Sequence, residues 1–149
     1  MSVSPKEVVR RFYQEAWNER NLQVIDELVS ESHALTSANV SGPAVGPAAY
    51  KTQIASFVRG FPDLRFIVED TICEMDKIVA SWTITGTHKG EFLGIAPTHK
   101  KVSVPGITIH QIADGKILDS HAAWDRIGLF QQLGIELSLK VETRAASTP

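Results

Sequence analysis

A single cysteine, Cys73, is present in the 149-residue chain, so no intrachain disulfide can staple it. Cys73 lies in the apolar run TICEM, where a buried small hydrophobe is the expectation and a nucleophile the alternative. Net charge is also scarce: 15 Lys and Arg against 17 Asp and Glu leave −2 at pH 7. That balance supplies no field for nucleic acid or an anionic membrane, and the basic residues are scattered. No apolar run approaches the ~20 residues of a membrane-spanning helix. No Cys/His cluster has the spacing of a structural zinc site, so no metal is expected. The opening MSVSPKEVVRRF is charged where a secretory leader is apolar, which makes a reducing, cytoplasmic setting the expectation.

What remains is an ordinary globular composition, 43% apolar and 21% charged, long enough for one domain with a real core. The expected boundaries are one domain over 1–136 and a polar, frayed tail over 137–149. Ser4-Pro5-Lys6-Glu7 reads as a helix start, with Ser4 as cap, Pro5 in the first turn and Glu7 completing a capping box. Val9, Phe12, Tyr13, Ala16 and Trp17 follow at helical spacing. Asn21 opens a second helix with Leu22, Ile25, Leu28 and Val29 as its stripe. Residues 30–47 are rich in Ser, Gly and Pro and read as loop around one short strand. A third helix follows Gly46-Pro47, with Tyr50, Ile54, Phe57, Val58 and Phe61 inward and Pro62 as its stop.

From Leu64 the period changes to two. Leu64, Phe66 and Val68 alternate with Arg65, Ile67 and Glu69, and strands are expected over 78–88, 101–112 and 116–124. Asp125 can cap a last helix that Gly134 ends. Three helices followed by an antiparallel meander argue for an α+β fold, in which N-terminal helices pack in a strongly curved sheet. Such packing encloses one apolar wedge, and Trp17 and Trp82 are large enough to line it.

The segments GPAAYKTQIASFVRGFPDLRFIVED, GTHKGEFLGIAPTHKKV, IADGKI and WDRIGLFQQLG, with the first helix VVRRFYQEAWNERNLQVIDEL, span nearly the whole chain. Together they resemble the SnoaL-like polyketide cyclases, a family also labelled predicted ester cyclases. The resemblance implies the cystatin-like α+β cone shared with ketosteroid isomerase and scytalone dehydratase, and homodimers that pair through the sheet. It also implies an intramolecular aldol ring closure on a hydrophobic, carbonyl-bearing, polyketide-like molecule of secondary metabolism, with no metal and no organic cofactor. In the family's aromatic-polyketide cyclases an Asp on the last strand is the acid/base, helped by a His on the preceding strand. Alignment on DGKI and the QLG ending places these at Ala122 and Thr108. Ligand-contacting positions correspond to Trp17 and Gln53.

The chemistry needs a base near a carbonyl α-carbon and donors for the enolate, so other residues are candidates. His110 lies two residues after Thr108 and shares its sheet face. His121 adjoins Ala122, and the strand register decides whether it faces the pocket or the outer sheet surface. A two-residue Asp114-Gly115 turn pairs 108 with 121, whereas a three-residue loop with a bulge pairs it with 120. His88, in GTHKG, ends a strand at the expected pocket mouth; His33 and His99 read as loop residues. Asp125 is either the cap of the last helix or a carboxylate that orients an imidazole. Trp82 and Trp124 read as pocket wall, and the apolar loop 91–97 as a lid or a subunit contact. Two functions stand side by side: a cofactor-free cyclase or isomerase with catalytic candidates His110, His121 and Asp125, and a binding protein without turnover. A third is a dimeric scaffold for protein contacts, which needs an exposed apolar patch beyond the dimer face.

Overall fold

A computed structural model of the chain describes residues 4–37 and 40–142. Ser4 caps α1 (Pro5–Arg11) as its spacing predicts, its side chain accepting from the Glu7 N–H. The same helical rod continues as a π-helical stretch, Phe12–Asn18, which buries Phe12, Tyr13, Ala16 and Trp17 on one face. Asn18 then clamps the rod to the sheet: its Nδ2 donates to the Phe66 carbonyl at 2.9 Å and its Oδ1 accepts from the Phe66 N–H at 2.8 Å. α2 (Gln23–Leu28) ends one residue before the predicted stripe does, because Val29 opens a strand.

Residues 30–47 correct the loop expectation. They form β1 (Val29–Ser37) and β2 (Val40–Val45), paired antiparallel, before α3 (Gly46–Gly60) begins. Tertiary pairing overrides the weak local preference, since β1 also pairs parallel with β6 (Lys116–Trp124) through partners such as Leu35 and Ser120. Pro43 is tolerated because β2 is an edge strand. β3 (Arg65–Glu74), β4 (Lys77–Thr87), β5 (Lys101–Ala113) and β6 form the expected antiparallel meander, giving one six-stranded sheet in the order β2-β1-β6-β5-β4-β3. β4 and β5 alternate buried and outward residues along their length. β3 does not: Phe66 is buried, but Val68, on the same face opposite Trp82, is exposed at the edge of the sheet. Cys73, expected buried, is exposed on the same edge strand.

The β5–β6 turn is the two-residue Asp114-Gly115 form, both residues with positive φ (52° and 75°) as a type I′ turn requires. A bulge then intervenes, because Ile112 pairs with Ile117 but Gln111 pairs with Asp119. One extra residue enters β6, and Thr108 faces Ala122, neither of the two registers that turn length alone allowed. The slip sends Ser120 inward and His121 outward. α4 (Arg126–Gln132) closes one end, capped by Asp125, whose Oδ1 accepts from the Gly128 N–H at 2.8 Å. Of the expected tail, 137–142 carry no helix or strand, and 143–149 lie outside the described residues.

Candidate active site

The helices sit in the concave side of the sheet, and the wedge between them is walled by aromatics. Phe12, Tyr13 and Trp17 come from the N-terminal rod, Tyr50, Gln53 and Phe57 from α3, Phe66, Trp82 and Ile84 from β3 and β4, and Thr108, Ala122 and Trp124 from β5 and β6. Trp82 fits only because its cross-strand partner is Gly106: a Cβ there would lie 2.1 Å from the Trp82 ring. Phe57 and Trp124 are the partly exposed aromatics of this wall, with ring centroids 6.0 Å apart, and mark its mouth. The enclosed cavity is about 50 Å³. That is room for a water or two, so an organic ligand enters only when this wall widens.

Two wall atoms are buried with no hydrogen-bond partner, the Trp17 indole nitrogen and the Gln53 side-chain oxygen. At the sheet end the Trp82 Nε1–H donates to the Thr108 hydroxyl at 2.9 Å. Beside it a polar chain leads away from the pocket. The Tyr13 hydroxyl lies 2.9 Å from His110 Nε2, His110 Nδ1 lies 2.8 Å from the Ser120 hydroxyl, and that hydroxyl lies 3.1 Å from His33 Nε2. His33, His110 and Ser120 are all fully buried. Burial pushes the His110 imidazole down to about 3, the neighbouring His33 adding to the fall, and desolvation takes His33 down to about 4. Both are therefore neutral near pH 7. Burial raises the Tyr13 phenol, with Thr108 and Trp82 offsetting part of the rise, and it raises Tyr50 as well.

The structure thus brings together six of the sequence-derived positions, Trp17, Gln53, Trp82, Thr108, Ala122 and Trp124, around one cavity. His110 lies on the same sheet face but one layer back, behind Tyr13. His121 stands on the outer face, exposed, 3.2 Å from the Asp119 carboxylate. Asp125 is exposed, and its recorded hydrogen bond is the helix cap rather than one to an imidazole. His88 is buried away from the cavity lining; its Nδ1 accepts from the Thr98 N–H at 3.1 Å and its ring stacks on Phe61. The loop 91–97 places Phe92 against Phe57 and Phe61, so it backs the pocket mouth from behind. His33 corrects the loop reading, since it sits on β1. Tyr13, Tyr50 and Ser120 were not singled out by sequence. A hydroxyl on the apolar helical face at Tyr13 was the available signal, because a buried phenol needs a partner.

A larger cavity of about 570 Å³ is an open groove between α1 and β3, sharing Tyr13 and Phe66 with the inner wall. The inner wedge is the better candidate, since it has the aromatic enclosure and the unpartnered polar atoms. Among the described residues no group of three or more His, Cys, Asp or Glu is placed to hold a metal, and no helix is long and apolar enough to cross a membrane.

A cone of helices in a curved sheet, with an aromatic interior pocket, defines the class of this protein. Comparison with known proteins supplies the family. The SnoaL-like polyketide cyclase model matches residues 7–133. Nogalonic acid methyl ester cyclase of Streptomyces nogalater is 30% identical over 122 residues, covering 80% of this chain and 90% of that one. Among solved structures, TsrD from Streptomyces laurentii superposes with a TM-score of 0.77 at 27% identity, covering 87% of this chain and 93% of its own. A SnoaL-like protein from Jannaschia sp. CCS1 superposes with a TM-score of 0.81 at 24% identity, covering 89% and 93%, and supports the fold. The chain belongs to the SnoaL-like polyketide cyclase family, which is of cyclase/isomerase type.

Proposed function

We propose that the protein is a cofactor-independent cyclase for a hydrophobic, carbonyl-bearing, polyketide-like molecule, working mainly by folding the substrate within the inner wedge. The observation that carries this reading is the pair of unpartnered polar atoms on the wall, the Trp17 N–H and the Gln53 carbonyl. Leaving such groups dry and unpaired costs ~1–3 kcal/mol each, which a ligand carrying an acceptor and a donor offsets. Holding two carbons of one chain in contact is itself worth a large part of a ring-closure barrier. An intramolecular aldol closure forms one C–C bond and moves one proton from the α-carbon to the new alkoxide, so the product is an isomer of the substrate.

The described wall holds no carboxylate and no imidazole, with Thr108 and Ala122 at the positions where the family's acid/base pair falls. Proton transfer is then assigned to bound water or to the Tyr13–His110 pair. The same observation favours a second reading, a carrier that binds such molecules without turnover. Incubation with nogalonic acid methyl ester, the compound in the relative's name, separates them. A time-dependent isomer of unchanged mass, lost in Trp17→Phe, supports the cyclase. Saturable binding with the ester recovered intact supports the carrier.

A homodimer through the outer sheet face is part of the same proposal. Ile67, Ile72, Ile107 and Ile109 stand exposed on the strands β3 and β5. Such a face, rich in branched aliphatics, gains from a second copy.

A further inference from the structure

After Gly134 the chain reads IELSLKVE, in which Ile135, Leu137, Leu139 and Val141 alternate strictly with Glu136, Ser138, Lys140 and Glu142. Period two is the pattern of a strand with one buried face. In the single chain this segment has no sheet to join. It carries no helix or strand, and among the described residues its main-chain bonding ends at Ile135, whose N–H donates to the Phe130 carbonyl at 2.9 Å. Beyond that point Leu137, Leu139 and Val141 are 50%, 95% and 78% exposed. Isolated exposed apolar residues are ordinary, but an extended backbone puts these three on one face.

The sheet has an open edge to receive such a strand. β3 is paired on one side only. Its Phe66, Val68, Thr71 and Cys73 pair with alternate residues of β4, namely Ile84, Trp82, Ala80 and Ile78, so their main-chain groups point the same way. That way is off the edge, because Asn18 holds both Phe66 groups and the Asp70 carboxylate accepts from the Thr71 N–H at 2.9 Å. Val68 and Cys73, with the Thr71 carbonyl, are left open to a further strand. The groove of about 570 Å³ runs along this edge, with Val9, Phe66 and Val68 in its lining. Glu7 and Arg10 pair with one another there, so Lys6 and Arg65 give the groove a net positive charge. The other edge strand, β2, is poorer, since Pro43 has no N–H to offer.

We propose that residues 135–142 of a second copy add to the β3 edge as a parallel strand, seated in this groove. Charge sets the direction. With Glu136 beside Arg65, the parallel register puts Lys140 beside Glu69, and Leu137 and Leu139 beside Phe66 and Val68 on the concave face. Run the other way, Glu142 can meet Arg65, but Lys140 then falls beside Ile67. The inference rests on the homodimer through the outer sheet face, which brings a second copy to Ile67 and Ile72 of this same strand. It also gives the dimer a role in the site. Tyr13 and Phe66 line both the groove and the inner wedge, so the partner's segment backs the wedge wall from outside.

The test is a disulfide between copies. Cys73 is the only cysteine, so Cys73→Ser gives a thiol-free background. Into it go Val68→Cys in one preparation and Leu139→Cys in another, positions that face one another in the proposed register. Oxidation of the mixture should give a covalent dimer that requires both variants and disappears on reduction. No such species overturns the proposal. The two substitutions combined in one chain should still give linked dimers; a fast-migrating monomer, linked within itself, would place the segment on its own edge and overturn the exchange. Sedimentation supplies a second readout. Leu139→Asp with Val141→Asp alters two exposed side chains and should weaken the dimer by roughly tenfold or more. An unchanged dimer that also fails to cross-link overturns the exchanged strand and leaves the outer-face dimer standing, whereas a monomeric wild type overturns both.

Discussion

Thr108 and Ala122 face one another across β5 and β6, both on the wall of the inner cavity. An ionisable pair at this place would be enclosed by aromatics, and the chain instead has a hydroxyl tied to the Trp82 indole and a methyl group. The pocket can be nearly dry because no charge has to be kept hydrated there. Placing a carboxylate at position 122 tests this. Ala122→Asp should be tolerated better at low pH than at high pH, because burial raises the carboxyl pKa and penalises the charged form. The sign follows from linkage: with a folded pKa above the unfolded one, the penalty is absent at low pH and grows as pH rises above ~3.9. Urea melts at pH 5 and pH 8 should show the larger loss, about 2–4 kcal/mol, at pH 8. Equal loss at both would mean that the site is solvated.

The two buried imidazoles predict acid sensitivity. His110 and His33 are pushed down to about 3 and about 4, so the unfolded chain binds more protons than the folded one below ~6.5. Stability is complete above that value and falls as pH drops towards 4, by roughly 1.4 kcal/mol per pH unit for each histidine. Thermal unfolding between pH 7 and pH 4 should show this slope. A flat profile would place both imidazoles in contact with water, and half the slope one of them.

Gly106→Ala should disturb the pocket more than an exposed Gly→Ala change. Its Cβ would lie 2.1 Å from the Trp82 ring, which must turn away and release its hydrogen bond to Thr108. A loss of about 1–3 kcal/mol is expected, with a changed tryptophan emission spectrum. Unchanged emission would show that the ring relaxes without leaving its place.

The outer sheet face predicts the oligomeric state. Sedimentation should give a dimer, and a charge at the centre of the face, Ile107→Asp or Ile109→Asp, should give folded monomers. Both residues are outward on β5, so the substitution leaves the core intact. A wild-type monomer would remove the dimer from the account.

Much of the scaffold is written in local patterns. Ser4 and Pro5 start α1, Asp125 caps α4, and the Asp114-Gly115 turn forms as its dipeptide predicts. The strand pair β1 and β2 was not legible, since its pairing with β6 comes from residues more than eighty positions away. The bulge in β6 was equally hidden, and it alone decides that His121 faces outward while Ser120 joins His110 and His33. The pocket wall was largely legible, because Trp17, Gln53, Trp82 and Thr108 follow from period and resemblance. The polar chain was not, because it is assembled from a helix and three strands that meet only in the folded state.

The most direct test of the central claim is calorimetric titration of 1-indanone into wild type, Trp17→Phe and Gln53→Leu, each first shown to be folded. The account predicts saturable binding to wild type. It predicts weakening by roughly 5–10-fold in Trp17→Phe, which removes the donor for the ketone oxygen. Gln53→Leu should leave this acceptor-only probe nearly unaffected while weakening 1-indanol. No binding to wild type, or equal affinity of Trp17→Phe and wild type for the ketone, would contradict the assignment of the inner wedge as the ligand site.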